Sequence, residues 1–263
     1  MTHRLYVNAA GFAAPGFDNV EALKTHLDGT PANQPDAWKP QPTSLPPRAA
    51  RRLSAAIRLA VQAAEQITPA LPDTAGWVFA SSIGEGDTLN DILTALCQDD
   101  IMIQPVKFQN AVHNAAQGQF SIAAKATGPG TSIAGYDMTV AAGLLKAMMQ
   151  TALEQIPVGV VAFDAPMPDP LHEKRRFEIP MAAALALSPA PTDTTTAALD
   201  ITCGAVDQSP TDPEAPVADW LMTSNNPTRY ALPLLARLHR KDPTPLTLHL
   251  SPTTALTIQV TDA

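Results

Sequence analysis

The stretch GPGTSIAGYDMTVAAGLLKA, residues 128–147, reads as a short buried strand, a tight turn and an apolar helix. A side chain at the start of such a helix meets unpaired backbone N–H groups and the positive end of the helix dipole. That corner lowers the pKa of a thiol and supplies donors for an oxyanion, which is why acyl-transfer nucleophiles sit at such turns. The turn here offers Tyr136 and Asp137. An aspartate is already ionised at neutral pH, is a poor nucleophile toward thioesters, and as an N-cap takes the N–H donors for itself. The sequence therefore predicts a capped, chemically inert helix start at Asp137, with a catalytic carboxylate as the alternative.

Other residues that could do chemistry have simpler explanations. SIGEGD, residues 82–87, carries a G-x-G after a strand but lacks the further glycines and the Lys or Ser/Thr of a phosphate cradle, so it reads as a strand-to-helix turn. No G-x-S-x-G elbow is present. Cys203 falls in a strand and Cys97 at a helix end, both read as buried structural thiols, and the two fit no CxxC spacing. None of the six histidines forms an i,i+4 pair with a carboxylate, which leaves a helix-borne metal site without footing. HEKRRFE, residues 172–178, reads as a solvated charge run, or else as a docking patch for an acidic partner.

The elements that must position these residues alternate between strands and helices. Strands are expected at 5–10, 77–80, 131–134, within VGVVAFDAP, IPMAAALALS and AALDITCGAV, and at 246–250 and 255–260. Helices are expected at 19–27, 88–96, 111–124, 137–155 and 227–240. The clearest helix is PPRAARRLSAAIRLAVQAAEQI, opened by Pro46 and Pro47, with an apolar stripe through Leu53, Ile57, Ala60, Val61, Ala64 and Ile67. Arg48, Arg51, Arg52 and Arg58 lie mainly off that stripe, on a solvated face. Residues 101–110 read as irregular, and PAPTDTTT and DQSPTDPEAP as exposed and mobile. The alternation predicts an α/β domain with a helix-covered sheet.

With 263 residues, 45% of them hydrophobic, the chain can build one large domain or two small ones. Its net charge of −8 argues against nucleic-acid or anionic-membrane partners, which need a surplus of Lys and Arg. Two distant cysteines, no leader pattern in residues 1–30, and no apolar run near the ~20 residues that span a bilayer together predict a cytoplasmic protein. The 26 prolines punctuate the chain rather than form one low-complexity segment.

VHNAAQGQFSIAAKATGPGTSIAGYDMTVAAGLLKA, residues 112–147, resembles the core of the N-terminal half of β-ketoacyl synthases, in the thiolase-like superfamily. In that family an Asn-containing helix precedes a G-P-x-x-x-[IV] strand that ends at the catalytic cysteine. The helix matches at Asn114, Ala116 and Gly118, and the strand at Gly128, Pro129, Ser132, Ile133 and Ala134, so that the cysteine position falls on Asp137. LYVNAAGFAAPG, the helix with Arg51 and Arg52, GWVFASSIGEGDT and VGVVAFDA extend the likeness to about residue 205. Two departures stand out. The cysteine is missing, and the HGT and N-x-F-G-type motifs that carry the family's two catalytic histidines are absent.

The resemblance implies a thiolase-like layered α-β-α fold with a truncated second half: residues 1–205 as the ketosynthase-like half and 206–263 as an abbreviated segment of a helix and two strands. It implies a non-catalytic subunit of chain-length-factor type, similar to the synthase-like proteins of aryl polyene pathways, which forms a heterodimer with an active ketosynthase and meets acyl carrier protein transiently. No cofactor or metal is implied. In the family the strand before the nucleophile, here Thr131, Ser132, Ile133 and Ala134 leading to Tyr136, pairs with its counterpart in the partner. The preceding helix would project Val112, His113, Ala116, Gln117 and Phe120 toward the partner's acyl tunnel. A stand-alone acyl-thioester decarboxylase or hydrolase, with Asp137 as general base, alone or assisted by His113, is the second reading. A homodimeric scaffold is the third.

Overall fold

The computed structural model describes residues 1–35, 37–206 and 212–263. DQSPTDPEAP begins at residue 207, so its first five residues lie outside the described residues. Eight strands form one sheet: β1 (Thr2–Ala13), β2 (Gly76–Ala80), β3 (Gly130–Ile133), β4 (Val158–Asp164), β5 (Met181–Ser188), β6 (Ala197–Ala205), β7 (Leu246–Ser251) and β8 (Thr254–Thr261). Their order is β3-β2-β4-β5-β1-β6-β8-β7. β2 runs parallel to β3 and to β4, and the remaining pairs are antiparallel.

The helices are α1 (Val20–Leu27), α2 (Pro47–Ala50), α3 (Ala55–Ile67), α4 (Gly86–Leu96), α5 (Pro105–Asn110), α6 (Ala115–Ala124), α7 (Thr139–Glu154), α8 (Asp219–Met222) and α9 (Leu232–Arg240). They divide the core in two. On one face of the sheet Leu144 and Met148 of α7 and Leu232 and Leu235 of α9 pack with Val158 and Val160. On the other, Ile57 and Val61 of α3 and Phe120 of α6 pack with Val161 and Phe163. Consecutive residues of β4 thus serve opposite cores, which is why the strand reads as an unbroken apolar run. α7 lies so close to the sheet that a Cβ on Gly143 would come within 2.7 Å of the Ala80 Cβ. A bulge in β1 between Val7 and Ala9 shifts its phase, so Leu5, Val7, Phe12 and Ala14 share one core while Ala13 enters the other.

Several expectations need correction. The helix expected across 46–67 is broken: Ser54 has extended backbone and its hydroxyl caps α3 by accepting from the Ile57 N–H at 3.1 Å. Residues 105–110, read as irregular, are helical, with Pro105 in the first turn where its missing N–H costs nothing. α6 starts at Ala115 rather than 111, and α8 was not expected. Cys97 and Cys203 are both exposed rather than buried; Cys203 lies where β6 runs out from under the packed layer. PAPTDTTT is exposed as expected, yet Thr192 and Thr195 both donate to the buried Asn8 side chain.

Candidate functional site

Three segments meet at the carboxyl ends of the parallel strands. β3 delivers the chain to a tight turn, Tyr136–Met138, which leads into α7. Tyr136 sits in the left-handed region at φ 52°, so the strained residue of this strand-to-helix corner is the tyrosine and not the neighbouring aspartate. The corner is locked by Thr139, whose hydroxyl donates to the Tyr136 carbonyl at 2.6 Å and accepts from the Gly135 N–H at 3.1 Å.

Asp137 does not cap the helix. The capping position is Met138, which makes no side-chain cap bond. The Asp137 carboxylate turns instead to the Arg175 guanidinium, 2.6 Å away. Arg175 also lies over the Tyr136 ring, 3.8 Å from its centroid. This corrects the reading of HEKRRFE as a solvated run: Glu173, Lys174 and Arg176 are exposed, but Phe177 is buried and only 13% of the Arg175 side chain is accessible. The physical cause is the aromatic and acidic surface that the turn presents to it. A second arginine, Arg229, pairs with Asp212 at 2.5 Å and lies over Tyr230. Between the two arginines is a cavity of about 370 Å³, lined by charged and polar side chains with the tyrosine rings.

A different chemistry lies under the neighbouring loop, which sequence reading passed over as a simple turn. Asp164, the last residue of β4, is fully buried and accepts from the Ser81 hydroxyl at 2.8 Å and the Ser82 N–H at 2.9 Å. Burial pushes its carboxyl up to about 6 against those hydrogen bonds. Glu85, 5% exposed, accepts from Ser54 at 2.8 Å and from Thr88, and burial raises it to about 7. Glu85 therefore joins the start of α4 to the cap of α3. The signal in the sequence was an acidic residue held between two glycines directly after a buried strand.

The residues expected at a partner surface divide. β3, with Thr131, Ser132 and Ile133, is an edge of the sheet, bonded to β2 on one side only, and Ala134 and Tyr136 beyond it are exposed. Val112 is 49% exposed. Ala116 and Phe120 instead face inward, and Phe120 stacks with Trp77 at 4.3 Å and Phe79 at 5.5 Å. The helix that carries them turns its apolar side to its own sheet, so these two cannot project toward a partner. Gln117 is half-buried against Gly130. His113 bonds the Ser81 carbonyl at 3.0 Å and packs on Gly84, whose φ of +65° makes room for the close approach. His113 and Asp137 thus have separate partners and do not form an acid–base pair.

A mixed sheet clothed by helices on both faces, with a strained turn between an edge strand and a buried helix, defines a thiolase-like ketosynthase fold. The chain belongs to the β-ketoacyl synthase N-terminal domain family, whose model matches residues 26–240. It is similar in structure to a ketosynthase (ApeO) in complex with its chain length factor (ApeC) from Xenorhabdus doucetiae, with a TM-score of 0.74, 22% identity, and 97% of this chain matching 98% of that one. A type II PKS acyl-carrier protein in complex with its ketosynthase bound to the hexaketide (AntDE:AntF) matches over 100% of both chains, with a TM-score of 0.74 and 11% identity. The ishigamide ketosynthase/chain length factor matches over 98% of this chain and 99% of that one, with a TM-score of 0.73 and 11% identity. At these identities the likeness is one of fold. No curated protein sequence matches the chain. No helix among the described residues is long and apolar enough to cross a membrane.

Proposed function

We propose that the chain is a non-catalytic subunit of chain-length-factor type, which forms a heterodimer with an active ketosynthase and shapes its acyl tunnel in polyene or fatty-acid-like chain building. The observation that carries this reading is where apolar surface is left uncovered. Apart from Met1, every exposed large hydrophobic among the described residues lies between Leu89 and Leu153, on or beside α4 and α5, which pack on each other, and on or beside α6 and α7, which flank β3. An open strand edge set among such residues is the ordinary seat of a partner, and obligate interfaces bury about 2,000 Å² or more.

The corner supports the non-catalytic half of the reading. Decarboxylative condensation needs a thiolate to carry the acyl group, and Asp137, at the position assigned to the family's cysteine, has no sulfur. Acyl transfer to the carboxylate is opposed by the cation that holds it. General-base chemistry by a stand-alone decarboxylase or hydrolase is not favoured either, because Arg175 engages the carboxylate and His113 is committed to Ser81. Acyl carrier protein would then be a transient visitor to the pair.

The test is expression with and without an active ketosynthase of the same organism. The expected outcome is a one-to-one complex, with the chain self-associating or insoluble alone and the ketosynthase failing to reach full product length without it. A monomeric chain, together with full-length product from the ketosynthase alone, would overturn the reading. A stable two-fold assembly of this chain alone would favour the homodimeric scaffold.

A further inference from the structure

We propose that the cavity beside the Tyr136–Asp137 corner is a binding site for a phosphate monoester. It stands on the geometry of this chain alone and does not depend on the partner reading. The cavity of about 370 Å³ is bounded by Lys174, Arg175, Arg176 and Arg229 against two carboxylates, Asp137 and Asp212. Four cations less two anions leave a formal +2 in a chain whose total is −8. Positive charge is therefore concentrated in this one cavity against the trend of the whole molecule.

The two arginines are built in rather than solvated. Their side chains are 13% and 11% accessible, and each guanidinium lies over a tyrosine ring, Arg175 on Tyr136 and Arg229 on Tyr230. The ring contacts, at 3.8 Å for Arg175 and 5.5 Å for Arg229, help hold each guanidinium in place before any ligand arrives. Both retain unused donors. Arg175 Nη2 lies 2.6 Å from the Asp137 carboxylate, and the Nε of each arginine has no hydrogen-bond acceptor among the described residues. Arg229 Nη1 is already spent on the Met222 carbonyl and Asn225. Two guanidinium groups bordering a cavity with an excess of cations favour an oxyanion as its occupant.

A tetrahedral phosphate presents oxygens in more than one plane, whereas a carboxylate lies in a single plane with one fork. A monoester near neutral pH carries close to two negative charges, matching the excess in the cavity, and a diester carries one. Charged lining makes the site unsuited to an aliphatic chain, and its volume leaves room for a small organic group on the phosphate.

Calorimetric titration with phenyl phosphate at pH 8 and fixed ionic strength tests the assignment, with dimethyl phosphate as the diester arm. Saturable binding of phenyl phosphate is expected, about tenfold weaker in Arg229→Gln and in Arg175→Gln. Asp137→Asn is expected to tighten it, because the carboxylate competes for Arg175. That variant leaves both arginines in place and remains decisive if loss of either one prevents folding. Absence of saturable binding, equal affinity in all variants, or weaker binding in Asp137→Asn would overturn the site. Tighter binding of dimethyl phosphate than of phenyl phosphate would overturn the monoester assignment.

Discussion

The sheet is left bare in two places, and the surfaces there are chemically opposite. At one end, β3 has an open edge, the helices α6 and α7 that flank it expose Ile122 and Leu153, and the α4–α5 pair exposes Leu93 and Phe108. At the other, β6, β8 and β7 have one face buried under the α7 and α9 core, and the reverse face carries Arg4, Asp200, Thr247, Thr257 and Gln259. Arg4 and Asp200 close that face with a bidentate pair at 2.8 and 2.6 Å, which holds Asp200 below the usual carboxylate range. Water satisfies the second surface as it stands. The first carries apolar area that water does not reward, at about 25 cal/mol per Å². Bareness alone says little; the kind of side chain left there separates a solvent face from a docking face.

The largest expected effect breaks that contrast directly. Phe108→Asp with Leu153→Asp should weaken capture of the ketosynthase about a thousandfold, two desolvated anchors at about 2 kcal/mol each. Thr257→Asp with Gln259→Asp, equal charges on the polar face, should leave co-purification unchanged. Quantitative pull-down reads both, and equal losses would remove the distinction between the faces.

A second comparison sets the inner side of α6 against its outer side. Phe120→Ala should cost about 3–5 kcal/mol in denaturant unfolding, because it empties the aromatic stack on Trp77 and Phe79. Ile122→Ala, 77% exposed, should stay within about 0.5 kcal/mol. Ile122→Ala should instead weaken partner capture.

The third concerns Glu85. Its folded carboxyl titrates near 7, above its ordinary 4.5, so the folded chain binds that proton more tightly than the unfolded chain does. Acidification through that window therefore stabilises the fold, and the buried charge destabilises it above pH 7 by up to about 3 kcal/mol. Glu85→Gln should gain stability relative to the parent as pH rises from 5 to 8, read as the difference between two unfolding curves. Asp164 titrates in the same direction and is unchanged in both proteins. A difference that does not move with pH would mean that Glu85 is not charged where it lies.

A small effect is likewise expected at Asp137. Its carboxylate is half-exposed, so Asp137→Asn should change stability by less than about 1 kcal/mol.

Much of this was legible in the residues. Every expected strand exists, because a buried strand needs little more than its run of Val, Ile, Leu and Ala; GWVFA and VGVVAFD are clear cases. The apolar stripe of α3 is buried throughout. The break at Ser54 was harder to see, since the serine sits in a helical pattern and its role is completed by Glu85, thirty-one positions away. The inward turn of Phe120 was hidden for a similar reason. α6 is rich in small residues on every side, so its periodicity does not reveal which side meets the sheet.

Composition and order were enough to establish an α/β layered chain, a strand–turn–helix corner and the absence of sulfur from Asp137, because these depend on side-chain type and on neighbours a few residues apart. The tertiary structure alone decided that Asp137 pairs with Arg175 rather than with its own helix, that Tyr136 carries the strained backbone, and that two carboxyls are shut away from water. Those outcomes depend on which distant segments arrive beside a group and how much solvent they exclude, and neither is a property of any local stretch of chain.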